Sequence, residues 1–166
     1  MDLEEFYDYK NRLMKDLCSN ERIVRLVTGD ENAAVPNHAL AYSQLYPYQF
    51  VPETVTEATT FICFDMDLTS VPSKTFYMPI LYIWPFTHKS KLRLPQGGLL
   101  IDSICSEICR MLNGSRFYGL GTLQLTSTKM FVPILDYLGR SMVFTAVDFN
   151  NLTASSKTPS NRKRGL

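Results

Sequence analysis

The order of elements between Phe61 and Val147 constrains this chain most: a strand pair, a helix, then a second strand pair, with little left over. The run from Thr59 to Leu68 alternates. Ile62, Phe64, Met66 and Leu68 fall on one side, and Phe61, Cys63, Asp65 and Asp67 on the other, as in a strand with two different faces. A turn at Ser70-Val71-Pro72-Ser73 returns the chain through a second strand from Thr75 to Trp84. Phe76 to Phe86 is apolar on both faces, which suits a central strand or an interface strand. Pro79 and Pro85 lack ladder donors, and this favours a strand beside the sheet edge, or one that bulges where it meets another subunit. After Gly97-Gly98 the helical period takes over. Leu100, Ile101, Ile104, Cys105, Ile108, Met111 and Leu112 make a wide apolar face, Asp102, Ser103, Glu107 and Arg110 lie opposite, and Asn113-Gly114 closes the helix. The last strands are expected at Gly121 to Phe131 and Arg140 to Phe149. Their connector, Pro133 to Gly139, is too apolar for an ordinary exposed hairpin tip.

Before this unit, residues 2–17 have the spacing of an amphipathic helix. Leu3, Phe6, Lys10, Leu13 and Leu17 share a stripe with Met14 beside it, and Asp2, Glu4 and Glu5 occupy the first turn, where the helix dipole favours them. A second, short helix through Val27 is capped by Ser19 or Asn20 and stopped by Gly29. Asp30 to Pro36 reads as a loop. In residues 37–58, Pro36, Pro47 and Pro52 exclude a long helix, whereas Tyr42, Leu45, Tyr46, Tyr48 and Phe50 are too apolar for a free linker. The expectation is an extended arm packed on this domain's own sheet or on a neighbouring subunit. Residues 151–166 turn to Ser, Thr, Pro, Lys and Arg, and with Lys157, Arg162, Lys163 and Arg164 they read as a flexible basic tail. The whole is therefore expected to be one α+β domain over residues 1–150. Its sheet should be mainly antiparallel, of about four or five strands, with the N-terminal and central helices packed on it.

A chain of 166 residues, 45% hydrophobic, suits one core, and a net charge of +1 gives no field that argues for nucleic acid by itself. The four cysteines contain no C-x-x-C pair. Cys105 and Cys109 stand one helical turn apart, and the plain reading of all four is small buried hydrophobes in a reducing compartment. Met1 to Tyr9 is acidic and lacks the apolar core of a secretory signal, and the most apolar stretch, Pro79 to Phe86, falls far short of the ~20 residues of a spanning helix. Synthesis and assembly in a cytoplasm, away from membranes, is the expectation.

Catalytic chemistry finds few candidates. His38 and His88 lie in no nucleophile motif, and G-x-S-x-G is absent. Asp65 and Asp67 share a strand face and can bind a metal or work as acid and base, but no third ligand is marked; a solvated or negatively charged face is the plainer reading. Gly119-Leu120-Gly121 precedes a strand, so it is not a phosphate loop. Lys89, Lys91 and Arg93, close to Trp84 and Phe86, suit either a charged loop tip or a nucleic-acid contact. Neither an enzyme nor a cofactor is expected. Tyr46-Pro47-Tyr48, Pro79-Ile80-Leu81-Tyr82 and Pro133-Ile134-Leu135 supply more apolar surface than a small core needs, which points to interfaces.

The order of elements over residues 1–150 resembles the tail terminators and neck proteins of long-tailed bacteriophages. The text that carries the likeness is Phe61-Ile62-Cys63-Phe64-Asp65-Met66-Asp67, Leu81-Tyr82-Ile83-Trp84, Phe86-Thr87-His88-Lys89-Ser90-Lys91 and Asn113 to Gly121. The resemblance implies a structural virion protein, assembled in the host cytoplasm. It would form a ring, usually a hexamer, that ends the tail tube and joins tail to head. Its partners would be further copies of itself, the tail tube protein, a head-completion or connector protein, and DNA that passes through without specific binding; no membrane is involved. The family brings no catalytic residues. On this expectation Tyr46, Tyr48, Phe50, Tyr82 and Trp84 make subunit contacts. Lys89, Lys91, Arg93, Leu135 and Tyr137 make contacts along the ring axis, and Asp65 and Asp67 face the channel. The alternatives are a head-completion adaptor between portal and tail, a small metal-dependent hydrolase or nuclease built on Asp65 and Asp67, and a free nucleic-acid-binding module.

Overall fold

A computed structural model of the protein describes residues 3–52, 58–70, 76–118, 121–146 and 148–149. The expected first-hairpin turn beyond Ser70, the Gly119-Leu120 pair and the basic tail lie outside the described residues. Helices α1 (Leu3–Ser19) and α2 (Glu21–Thr28) open the chain, nearly where the periodicity predicts them. They are separated by Asn20, which has extended backbone and accepts a hydrogen bond from the Ile23 N–H, so it is the cap of α2. Gly29 ends α2 in the left-handed region, at φ 71, where a side chain would be strained.

The arm has its own structure. A 3-10 turn at His38–Leu40 leads to a two-residue strand β1 (Leu45–Tyr46), which runs parallel to β2 (Thr60–Ser70). The arm thus packs on this domain's own sheet. β3 (Phe76–His88) follows, then α3 (Leu100–Leu112), β4 (Gln124–Phe131), β5 (Tyr137–Thr145) and β6 (Asp148–Phe149). The sheet order is β1-β2-β3-β5-β4, with β6 paired to the start of β3. All pairs are antiparallel except β1–β2, so the sheet is mixed.

β3 is therefore a central strand, against the expectation that its prolines push it to an edge. Alternation explains how it holds them. The His88 N–H donates to the Thr59 carbonyl on the β2 side, so residues an odd number of steps away, Pro79 and Pro85 among them, point toward β5. Pro79 falls just before the first β3–β5 pair, Ile80 with Thr145. Pro85 falls where that ladder lapses, between Ile83 with Met142 and Phe86 with Gly139. Neither missing donor is needed. The connector also differs from expectation: Tyr137, Leu138 and Gly139 already belong to β5, and Asp136, at φ 71, makes the turn into it.

The inward side of the sheet carries the main core. Ile62, Phe64, Met66, Leu81, Ile83, Met142 and Phe144 are buried against Leu13, Leu17, Ile23, Val24, Ile104 and Ile108 of the three helices. A further departure concerns Glu107. The sequence pattern places it on the polar face of α3, yet it is buried, with its carboxylate bonded to Arg22 of α2 at 2.8 Å and to Arg110. Two partly exposed guanidinium groups make that burial tolerable.

Candidate interaction surface

Residues directly opposite one another in the ladders share a face, so the register fixes the outward side of the sheet. Phe61, Cys63, Asp65 and Asp67 of β2 lie beside Phe86, Trp84, Tyr82 and Ile80 of β3, with Gly139 and Val143 of β5 and Phe131 and Ser127 of β4 beyond. Among the described residues, no helix contributes to the cluster on this face.

One end of the face is closed by the arm. Tyr46 and Phe50 stack at 4.1 Å between ring centroids, and both rest against Phe61. Phe61 in turn meets Phe86 and Tyr137, which pack edge to face at 5.9 Å. Pairs of this kind contribute about 1 kcal/mol each beyond the area they bury. Burial pushes the Tyr137 hydroxyl above its ordinary value, and the Thr59 backbone offsets part of the rise. The remaining part of the face is open. There Tyr82 and Trp84, two residues apart on β3, hold their rings parallel (interplanar 3°) at 5.7 Å, both only half-buried. Val143, Ser141 and Ser127 are half-buried beside them, and Lys129 is exposed.

The residues expected at interfaces separate accordingly. Tyr46 and Tyr137 lie inside the chain, at 9% and 1% exposure, because the aromatic cluster of the arm consumes them; they are not available to a neighbouring subunit. Phe50 is half-buried in the same cluster, whereas Tyr48 is exposed. Tyr82 and Trp84 line the open face. Leu135 is exposed at the β4–β5 loop. That loop is tied to the basic segment, since the Lys89 N–H donates to the Asp136 carbonyl at 2.8 Å and its ammonium pairs with the Asp136 carboxylate at 3.4 Å. Lys89 and Leu135 thus belong to one end of the molecule, and Lys89 is paired. Lys91 and Arg93 are exposed and turn toward α2.

Asp65 and Asp67 share the outward face, but Lys10 of α1 binds Asp65 and also donates to the Pro47 carbonyl at 3.3 Å. Only Asp67 of the pair is exposed. A wall of two uncompensated carboxylates is therefore reduced to one. Among the described residues, no group of three His, Cys, Asp or Glu side chains is placed to hold a metal ion. No described helix is long and apolar enough to cross a membrane.

The sequence reading missed Arg22, Arg25 and Glu107, which meet where α2 lies against α3. A signal existed in the i, i+3 spacing of Arg22 and Arg25, which sets both on the polar side of a short helix.

These features define a small α+β domain whose sheet is covered by helices on one face and only partly covered on the other. A family model described as YomW matches residues 20–146, so the chain belongs to the YomW family, a phage-associated family. No curated protein matches the chain.

Proposed function

We propose that this chain is a structural protein of the phage neck, forming a ring that ends the tail tube and joins tail to head. The observation that carries the proposal is the open sheet face with the stacked, half-buried Tyr82–Trp84 pair, which no described helix covers. Half-exposed Tyr and Trp are residue types that anchor protein contacts. The phage-associated family supports the setting, and the exposed Leu135 tip beside the Lys89 turn offers a second contact at one end of the molecule.

The test has two parts. Native mass measurement of the wild type, alone and mixed with the tail tube protein, is expected to give a ring-sized species, and Trp84→Asp and Tyr82→Asp are expected to leave folded monomer. Antibody labelling of purified particles is expected to mark the head–tail junction. A chain that never enters particles, or that oligomerises as well with Asp at position 84, refutes the proposal. Cross-links to the portal side in place of the tube would reassign the chain as the head-completion adaptor.

A further inference from the structure

The helix side of the molecule carries a cation-lined cleft that the proposed ring contacts leave untouched. The segment between the Lys89–Lys91 turn and α3 closes one end of it. That segment is fixed by the Leu94 N–H on the Gly98 carbonyl and the Leu100 N–H on the Leu92 carbonyl, with Gly97 and Gly98 at φ 96 and 85 making the bend. Two adjoining hollows of about 460 and 450 Å³ open there and share Arg25, Leu26, Glu31 and Gln96.

Charge in the cleft is one-sided. Arg22, Arg25, Lys91 and Arg93 line it against Glu31 and Glu107, four cations to two carboxylates. Glu107 is already spent on Arg22 and Arg110. Arg25 gives one Nη to Glu21, and its Nε is buried with no partner among the described residues. The Arg25 side chain as a whole is partly exposed and lines both hollows, and a guanidinium fork is a shape that takes phosphate oxygens. Among the described residues, neither Lys91 nor Arg93 has an ion pair.

The lining also says what is not recognised. Among the described residues no aromatic ring borders either hollow, so they offer a base nothing to stack on. Two open hollows joined at Arg25 suit an extended chain of phosphates better than one enclosed small anion. We infer that this cleft grips the sugar–phosphate backbone of DNA through Arg25, Lys91 and Arg93 without reading its sequence. The inference stands apart from the neck proposal, since such a grip requires neither ring nor tail.

Fluorescence anisotropy of the full-length protein with a short labelled duplex, across a salt series, tests it. Wild type is expected to bind at low salt and to weaken linearly in log–log terms. The variant R25Q/K91Q/R93Q alters three exposed or half-exposed side chains, and it is expected to lose at least roughly tenfold in affinity and about 2 to 3 in slope. The loss should be equal for a duplex of unrelated sequence. A companion variant, K157Q/R162Q/K163Q/R164Q, should leave the cleft-dependent part of the slope in place. The inference fails if wild type does not bind duplex at low salt, or if the triple variant binds as wild type does. It fails equally if polyglutamate competes as strongly as DNA of matched charge, which would assign the cleft to an acidic protein partner.

Discussion

At Gly139 the chain has no room for a methyl group. A Cβ there would stand 2.1 Å from the Pro85 carbonyl oxygen and 2.5 Å from the Phe86 Cβ, because β5 approaches β3 closely where the proline interrupts the ladder. Gly139→Ala is expected to cost about 3 kcal/mol, read as a lower urea midpoint with unchanged slope. One buried and one half-buried thiol, Cys63 and Cys105, give a second prediction. Burial pushes Cys63 up to about 11 and Cys105 up to about 12 from 9.0; the Phe50 backbone and Arg140 respectively offset part of each rise. A raised folded-state pKa favours the protonated thiol, so its contribution is whole below the ordinary thiol range and is lost as pH climbs through the folded values. The urea midpoint should be flat to about pH 8 and fall progressively between about 9 and 12, and Cys105→Ala should make that fall shallower. Neither Gly139 nor the buried place of Glu107 was legible in the sequence. Both depend on which strand or helix arrives opposite, and local periodicity does not encode that.

Among the elements, the helices were the most legible. Each has a 3.6-residue apolar stripe, and α2 has a side-chain cap and a left-handed glycine besides. Because α2 has only eight residues, its cap carries a large share of its local stability: Asn20→Ala is expected to cost about 1 kcal/mol, measured by thermal unfolding. The strand of alternating residues from Ile62 to Leu68 was equally legible. β3 was misplaced, because a sequence shows that a proline lacks a donor but not toward which neighbour the donor would have pointed. β1 could not be foreseen as a strand at all, since two residues hold no period; only the aromatic content of the arm announced that it packs. The site was legible to the same degree. Tyr82 and Trp84, expected at subunit contacts, lie on the open face, whereas Tyr46 and Tyr137 look alike in sequence and differ in being covered by the arm's own cluster.

For the whole molecule, the difference between consumed and available aromatics is testable. Tyr137→Ala should lower stability by about 3 kcal/mol, because it empties the centre of the outer cluster. Trp84→Asp, on the half-exposed rim of the same cluster, should cost clearly less while abolishing assembly; chemical denaturation beside mass measurement separates the two effects. The main core draws on α1, α2 and α3 together, and the outward cluster draws on none of them. The molecule is thus a plate with a front and a back. Two copies that meet through the bare side must carry their arginine-lined hollows on opposite outer surfaces. A neighbour seated on the sheet and a polyanion lying along the helices would not compete for space, so the proposed contacts are compatible in one copy.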